Sequence, residues 1–228
     1  MKSTADWSIV PRTLEITELS METSMMKIAV IGGGRWGCNH IKTFHSLGAL
    51  AAVVDTDPAT RREISQAYPN IKVHATIDPV LKDPSITGVS IATPAETHYR
   101  LAAVCLEANK HTLVEKPLSL FTSQARDLVR MADRQRLILM VGHLLLFHPA
   151  VRKIKELIDD GRLGRLQYIY SNRLNLGTVR KEENILWSFA PHDIAVISYL
   201  LDAEPVSCLL YTSPSPRDLS TSRMPSSA

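Results

Sequence analysis

Three glycines, Gly32, Gly34 and Gly37, form a G-x-G-x-x-G turn directly after the apolar run from Lys27 to Ile31. In that spacing the first glycine permits a tight turn, the second lets main chain approach a pyrophosphate, and the third lets a following helix pack close to the strand. The phosphates then meet the helix N-terminus. Arg35 and Trp36 fill the turn beside them. Asp55, 18 residues after Gly37, follows the next apolar run, Leu50–Val54. A carboxylate there accepts hydrogen bonds from an adenine-ribose diol and repels a 2′-phosphate, so NAD is expected in preference to NADP. Arg61 and Arg62 keep NADP as the second possibility, because either could reach back and neutralise that phosphate.

A second group lies at the ends of later apolar runs, where sheets of this kind bind ligands. Ala92-Thr93-Pro94 ends one run, with His98 one helical turn further on, and Thr112–Val114 runs into Glu115-Lys116-Pro117. The proline forces Lys116 into extended backbone, so its side chain leaves the strand end in a fixed direction. Partly desolvated beside a cationic nicotinamide, a lysine should lose basicity and manage a hydroxyl proton near neutral pH. Thr93, Pro94, His98, Glu115 and Lys116 therefore join the glycine turn and Asp55 as expected cofactor contacts. His192 follows Pro191, which suits the first turn of a helix from about Pro191 to Leu201. The helix field there disfavours imidazolium, leaving His192 neutral and able to take a substrate proton; Asp193 suits the same positive end. Arg173, Asn175 and Arg180 carry donors suited to a diphosphate or carboxylate, although isolated arginines are as readily solvated.

These residues must be positioned by alternating strands and helices. Short, nearly continuous apolar runs at Lys27–Ile31, Leu50–Val54, Gly88–Ala92, Thr112–Val114 and Leu137–Val141 read as strands covered on both faces. Helical segments lie between them, the clearest placing Phe121, Ala125, Leu128, Val129 and Ala132 on one face. The expected fold is α/β: right-handed βαβ units in a doubly wound parallel sheet over residues 26–147. After Pro149 the rhythm changes. A helix with Val151, Ile154, Leu157 and Ile158 inward, a strand at Leu166–Asn172 and the helix near Pro191 read as the start of a second, α+β domain over 148–207.

Lys27 to Gly37, Ala92-Thr-Pro94 with His98, and Glu115-Lys-Pro117 resemble the glucose–fructose oxidoreductase/inositol dehydrogenase family of nicotinamide-dependent sugar dehydrogenases. The resemblance covers Met26 to about Ser207. It implies a Rossmann domain followed by a domain whose open sheet shapes the sugar site and often mediates homo-oligomers. It gives Lys116 the role of the catalytic lysine. Tyr168 to Gly177 and Asn184 to Asp193 are most similar to dehydrogenases of nucleotide-linked amino sugars, which implies a UDP-linked substrate oxidised at C3, of the UDP-N-acetylglucosaminuronic acid type. An inositol or free sugar is the alternative, and a non-catalytic NAD sensor or inactive fragment another. Many relatives place an aspartate where Ser188 stands, so a Lys–Asp–His arrangement is not carried over.

The composition excludes several other classes. Of 228 residues, 45% are apolar and 21% charged, which is globular, and 26 basic against 23 acidic residues leave only +3. That charge argues against a nucleic-acid partner or a membrane surface. Cys38, Cys105 and Cys208 share no metal-ligand spacing, and the expectation is a reducing compartment, the cytoplasm. His143 and His148 lack partner ligands at useful spacing, so no metal is expected, although His143 stands where it could line the nicotinamide pocket. No nucleophile elbow or P-loop lysine appears, which argues against hydrolase and NTPase readings.

Both ends look unlike the middle. Residues 1–25 lack a sustained period and read as a loose extension, or as sequence upstream of a start at Met25 or Met26. The last 21 residues, 208–228, contain 11 Ser, Thr or Pro. Cys208 to Asp218 and Ser222 to Ala228 resemble the translation of a sequencing-library adapter and its adjoining primer. The expectation is a non-native tail, with the natural chain continuing beyond about Val206.

Overall fold

The structure, a computed structural model, describes residues 26–172 and 185–209. Its sheet has six parallel strands: β1 (Ile28–Ile31), β2 (Leu50–Val54), β3 (Lys72–His74), β4 (Gly88–Ile91), β5 (His111–Val114) and β6 (Leu139–Val141). The order β3-β2-β1-β4-β5-β6 is doubly wound and reverses direction between β1 and β4. Five helices make the crossovers: α1 (Gly37–Ser46), α2 (Pro58–Ala67), α3 (Asp78–Lys82), α4 (Ala95–Glu107) and α5 (Thr122–Gln135).

Alternation along β1 divides the core. Ala29 and Ile31 face one side with Ala102, Cys105 and Leu106 of α4 and Leu128 and Ala132 of α5. Val30 faces the other with Leu50, Val53, Ile41 of α1 and Ile64 of α2. Local chemistry sets the helix ends. Asp57 caps α2 by accepting from the Thr60 N–H at 2.8 Å, with Pro58 in the first turn, and Arg136 closes α5 in the left-handed region at φ 55°. Leu128 and Ala132 are buried as the α5 period predicts, but Phe121 and Val129 are exposed at the margin of that face.

Strand β3 escapes the sequence reading because Lys72-Val73-His74 is too short and polar to read as an apolar run; pairing with β2 makes it a strand. Beyond β6 come a 3-10 turn (Leu144–Phe147), α6 (Pro149–Asp159) and α7 (Ile185–Leu201). Val151, Leu157 and Ile158 are half-buried, whereas Ile154 is exposed. Two expectations are corrected here. Residues 166–172 carry no strand, since no described strand pairs with them, and Tyr168 and Tyr170 are exposed. Helix α7 is already helical from Ile185 rather than starting near Pro191, and as a whole it packs on α6 and the 3-10 turn. Pro191 is thus an interior residue of the helix.

Candidate active site

The switch between β1 and β4 opens a crevice at the carboxyl ends of the strands. Its cavity of about 380 Å³ is walled by Gly34, Arg35 and Trp36 after β1, Ala92 to Glu96 and His98 after β4, and Glu115 and Lys116 after β5. Eight of the eleven expected cofactor contacts meet there. Gly32 and Gly37 stand behind this wall. Gly32 has φ 92°, and a Cβ on Gly37 would lie 1.8 Å from the Gly32 carbonyl oxygen, so strand and helix approach as only glycine allows. At Gly34 a Cβ would meet nothing within 4 Å, leaving main chain open toward the crevice.

Asp55 does not line the cavity, but it holds the loop that does. Its Oδ2 accepts from the Gly33 N–H at 2.6 Å and its Oδ1 from the Asp57 N–H at 2.8 Å. Gly33 was not singled out in the sequence, yet a Cβ there would strike Ile64 and Thr60. The Arg61 guanidinium donates to the carbonyls of Asp55 and Thr56 at 2.9 and 2.8 Å. It stands beside the acidic strand end, tied to main chain.

His98 is a brace between two loops. It is fully buried, with Nδ1 2.7 Å from the Pro117 carbonyl and Nε2 2.8 Å from that of Thr93. The Thr93 and Thr97 hydroxyls meet at 2.7 Å, fixing the rim of the β4 turn. The Lys116–Pro117 peptide bond is cis.

Glu115 is the most elaborately held carboxylate of the crevice. Oε1 lies 2.8 Å from His40 Nε2, and Oε2 accepts from the Lys116 N–H at 3.3 Å. Burial alone would raise its pKa. The hydrogen bond and charge of His40, with the main-chain N–H and charge of Lys116, outweigh burial and hold the carboxyl below its ordinary value. His143 follows β6, and burial lowers its pKa against the opposing pull of Glu115. Its Nδ1 is buried without a hydrogen-bond partner among the described residues. His40 carried no sequence signal beyond standing one turn into the helix that Gly37 opens.

The substrate-side expectations fare differently. Arg173, Asn175 and Arg180 lie outside the described residues. His192 sits on α7, two turns from its start, and is not among the residues walling the cavity. The field of a first helical turn therefore does not act on it, which corrects the reason for expecting a neutral ring. Among the described residues no cluster suited to a metal occurs.

Sheet order, glycine turn and acidic end of β2 together define a dinucleotide-binding α/β domain. The crevice fits such a cofactor: main chain is open at Gly34, and Asp55 stands one strand away for a ribose diol. A family profile for an oxidoreductase family with an NAD-binding Rossmann fold matches residues 26–143, and the chain belongs to that family. UDP-N-acetylglucosamine 3-dehydrogenase of Acidithiobacillus ferrooxidans is 30% identical over 182 residues, 79% of this chain and 56% of the relative. Inositol 2-dehydrogenase 2 of Saccharopolyspora erythraea is 31% identical over 194 residues, 82% of this chain and 57% of the relative. The crystal structure of a putative myo-inositol dehydrogenase from Sinorhizobium meliloti superposes with a TM-score of 0.69 at 28% identity, covering 79% of this chain and 56% of the other. GenD2 from gentamicin A biosynthesis, solved in complex with NAD, gives 0.67 at 25%, covering 77% and 53%. The chain spans little more than half the length of these relatives.

Proposed function

We propose that the protein oxidises a secondary alcohol of a sugar with NAD, and that the substrate is UDP-linked, oxidised at C3 of a UDP-N-acetylglucosaminuronic acid-like molecule. The observation that carries this reading is the shared cavity of the Gly34–Trp36 turn, the Thr93–Pro94 rim and Lys116. Bound NAD supplies the hydride acceptor. Gly34 lets main chain approach the pyrophosphate, and Asp55 accepts from the adenine-ribose hydroxyls. Lys116, at the end of β5, takes the hydroxyl proton at Nζ as the carbinol carbon gives up its hydride. His192, on α7, is the second proton acceptor and a substrate contact in this proposal; Lys116 carries the proposal without it.

The finer substrate assignment draws on the similarity to a UDP-sugar dehydrogenase. Inositol dehydrogenases are equally similar, so a cyclitol is the second reading. Three free cysteines suit a reducing compartment, and we place the protein in the cytoplasm, as a homo-oligomer acting on small molecules. Among the described residues no helix is long and apolar enough to cross a membrane. The test is NAD reduction by the full-length protein with UDP-sugars and cyclitols side by side. Turnover on UDP-amino sugars that Lys116→Ala lowers at least about a hundredfold supports the assignment. Turnover on cyclitols alone moves it to the second reading, and an unimpaired Lys116→Ala variant removes Lys116 from the chemistry.

A further inference from the structure

Ser90 is a hydroxyl in the middle of an apolar strand. It is fully buried in β4, in register with Val30 of β1 and Leu113 of β5. A hydroxyl there is tolerated only with a hydrogen-bond partner, and the partner is His40 Nδ1 at 2.8 Å. The opposite ring nitrogen lies 2.8 Å from Glu115 Oε1. An ionised carboxylate only accepts, so His40 Nε2 carries a hydrogen toward Glu115, while Nδ1 shares a hydrogen bond with the Ser90 hydroxyl. The result is a continuous chain, Ser90–His40–Glu115, running from sheet centre to crevice wall. Its residue types are those of a nucleophilic triad. Here the serine is sealed inside the sheet and the acid reaches the crevice, so the chain serves the carboxylate.

The surroundings of Glu115 serve the same end. The side chains of His40 and Glu115 are only 14% and 12% exposed. Gly142 leaves room for the carboxylate, since a Cβ there would come within 3.1 to 3.2 Å of it. Asp55, at the end of β2, marks the adenosine side of the crevice, so the other half of a dinucleotide extends over β4 and β5, where Glu115 stands. Oxidised nicotinamide carries a positive charge that the reduced ring lacks. A fixed negative charge in a crevice partly closed to water distinguishes the two.

We propose that the Ser90–His40–Glu115 chain sets the redox preference of the coenzyme site: it fixes the Glu115 carboxylate at the nicotinamide end of the crevice, where its charge favours the oxidised over the reduced dinucleotide. His40 is a positioning residue in this arrangement, acting through Glu115. The inference rests on the reading of the crevice as a coenzyme site, and the experiment separates the two.

Affinities for NAD⁺ and NADH are measured by calorimetry on the intact protein and on Glu115→Gln, His40→Phe and the double variant. Glu115→Gln keeps shape and removes charge; His40→Phe keeps an aromatic ring and removes both hydrogen bonds. The preference for NAD⁺ over NADH falls about five- to tenfold in Glu115→Gln and in the same direction in His40→Phe. The double variant shows no further loss than Glu115→Gln. Should His40→Phe fail to fold, Glu115→Gln decides alone. A purely structural carboxylate lowers both affinities alike, and an unchanged ratio overturns the proposal while leaving the coenzyme site intact. No binding of either coenzyme to the parent protein overturns the site and the chain together.

Discussion

The main-chain N–H of Gly33 donates to Asp55 Oδ2 at 2.6 Å, so the turn that ends β1 and the carboxylate that ends β2 form one unit. A carboxylate held this way keeps a fixed position at the end of β2. Asp55→Asn keeps the size and an acceptor for Gly33 while removing the charge. Binding measurements with both coenzymes are expected to show NAD weakened about tenfold and NADP strengthened, because the 2′-phosphate is no longer repelled. An unchanged NAD/NADP ratio would remove Asp55 from coenzyme choice.

Two glycines of one turn should fail in different ways. Gly37→Ala puts a methyl against the Gly32 carbonyl at 1.8 Å and should destabilise the fold by about 3 kcal/mol or more, read from denaturant unfolding. Gly34→Ala meets open space, so its unfolding midpoint should barely move. Its cost appears in calorimetry as an NAD affinity about tenfold weaker or worse, since the methyl occupies the room a pyrophosphate needs. Equal effects of both substitutions on stability would contradict this division.

Acid should weaken the fold in two stages. Burial depresses the His143 pKa below its ordinary 6.5, so the unfolded chain binds the proton first; this contribution is complete above about pH 6.5 and is lost as pH falls through the folded value. Glu115 is also depressed, below 4.5, so its contribution is complete above about pH 4.5 and disappears on further acidification. Unfolding midpoints across a pH series should show His143→Gln losing the upper stage and Glu115→Gln the lower. Identical acid profiles in parent and variants would contradict both assignments.

Thiol reagents should sort the cysteines. Cys105 is fully buried on α4, and burial raises its pKa to about 12, so it stays a thiol at neutral pH. Cys38 is exposed and its Sγ donates to the Gly33 carbonyl at 3.1 Å. Modification followed by mass spectrometry is expected to label Cys38 in the folded protein and Cys105 only after unfolding. Early labelling of Cys105 would mean that the α4 core opens far more readily than its packing implies.

What the sequence reveals here follows the range of the interaction. Strand runs, the glycine turn and the Glu115-Lys116-Pro117 strand end are local patterns, and each stands where its pattern places it. β3 has no apolar run of its own and exists through β2. Pro191 reads locally as a helix start, yet α7 already runs a turn and a half upstream of it, and the apolar stretch from Ile185 gives no local signal that separates the two. The Ser90–His40–Glu115 chain joins residues 50 and 75 positions apart, and no spacing rule reaches that far. Only the oddity of a serine within Gly88–Ile91 hints at it.

Both margins of the sheet, β3 and β6, are only three residues long. A brief margin exposes few unpaired amides, too few to seed side-on addition of a stranger's strand. The longer strands, with the crevice at their tips, lie inboard of those margins. Among the described residues the architecture therefore offers little open edge to fibrillar association at the periphery, while the crevice sits at the protected middle.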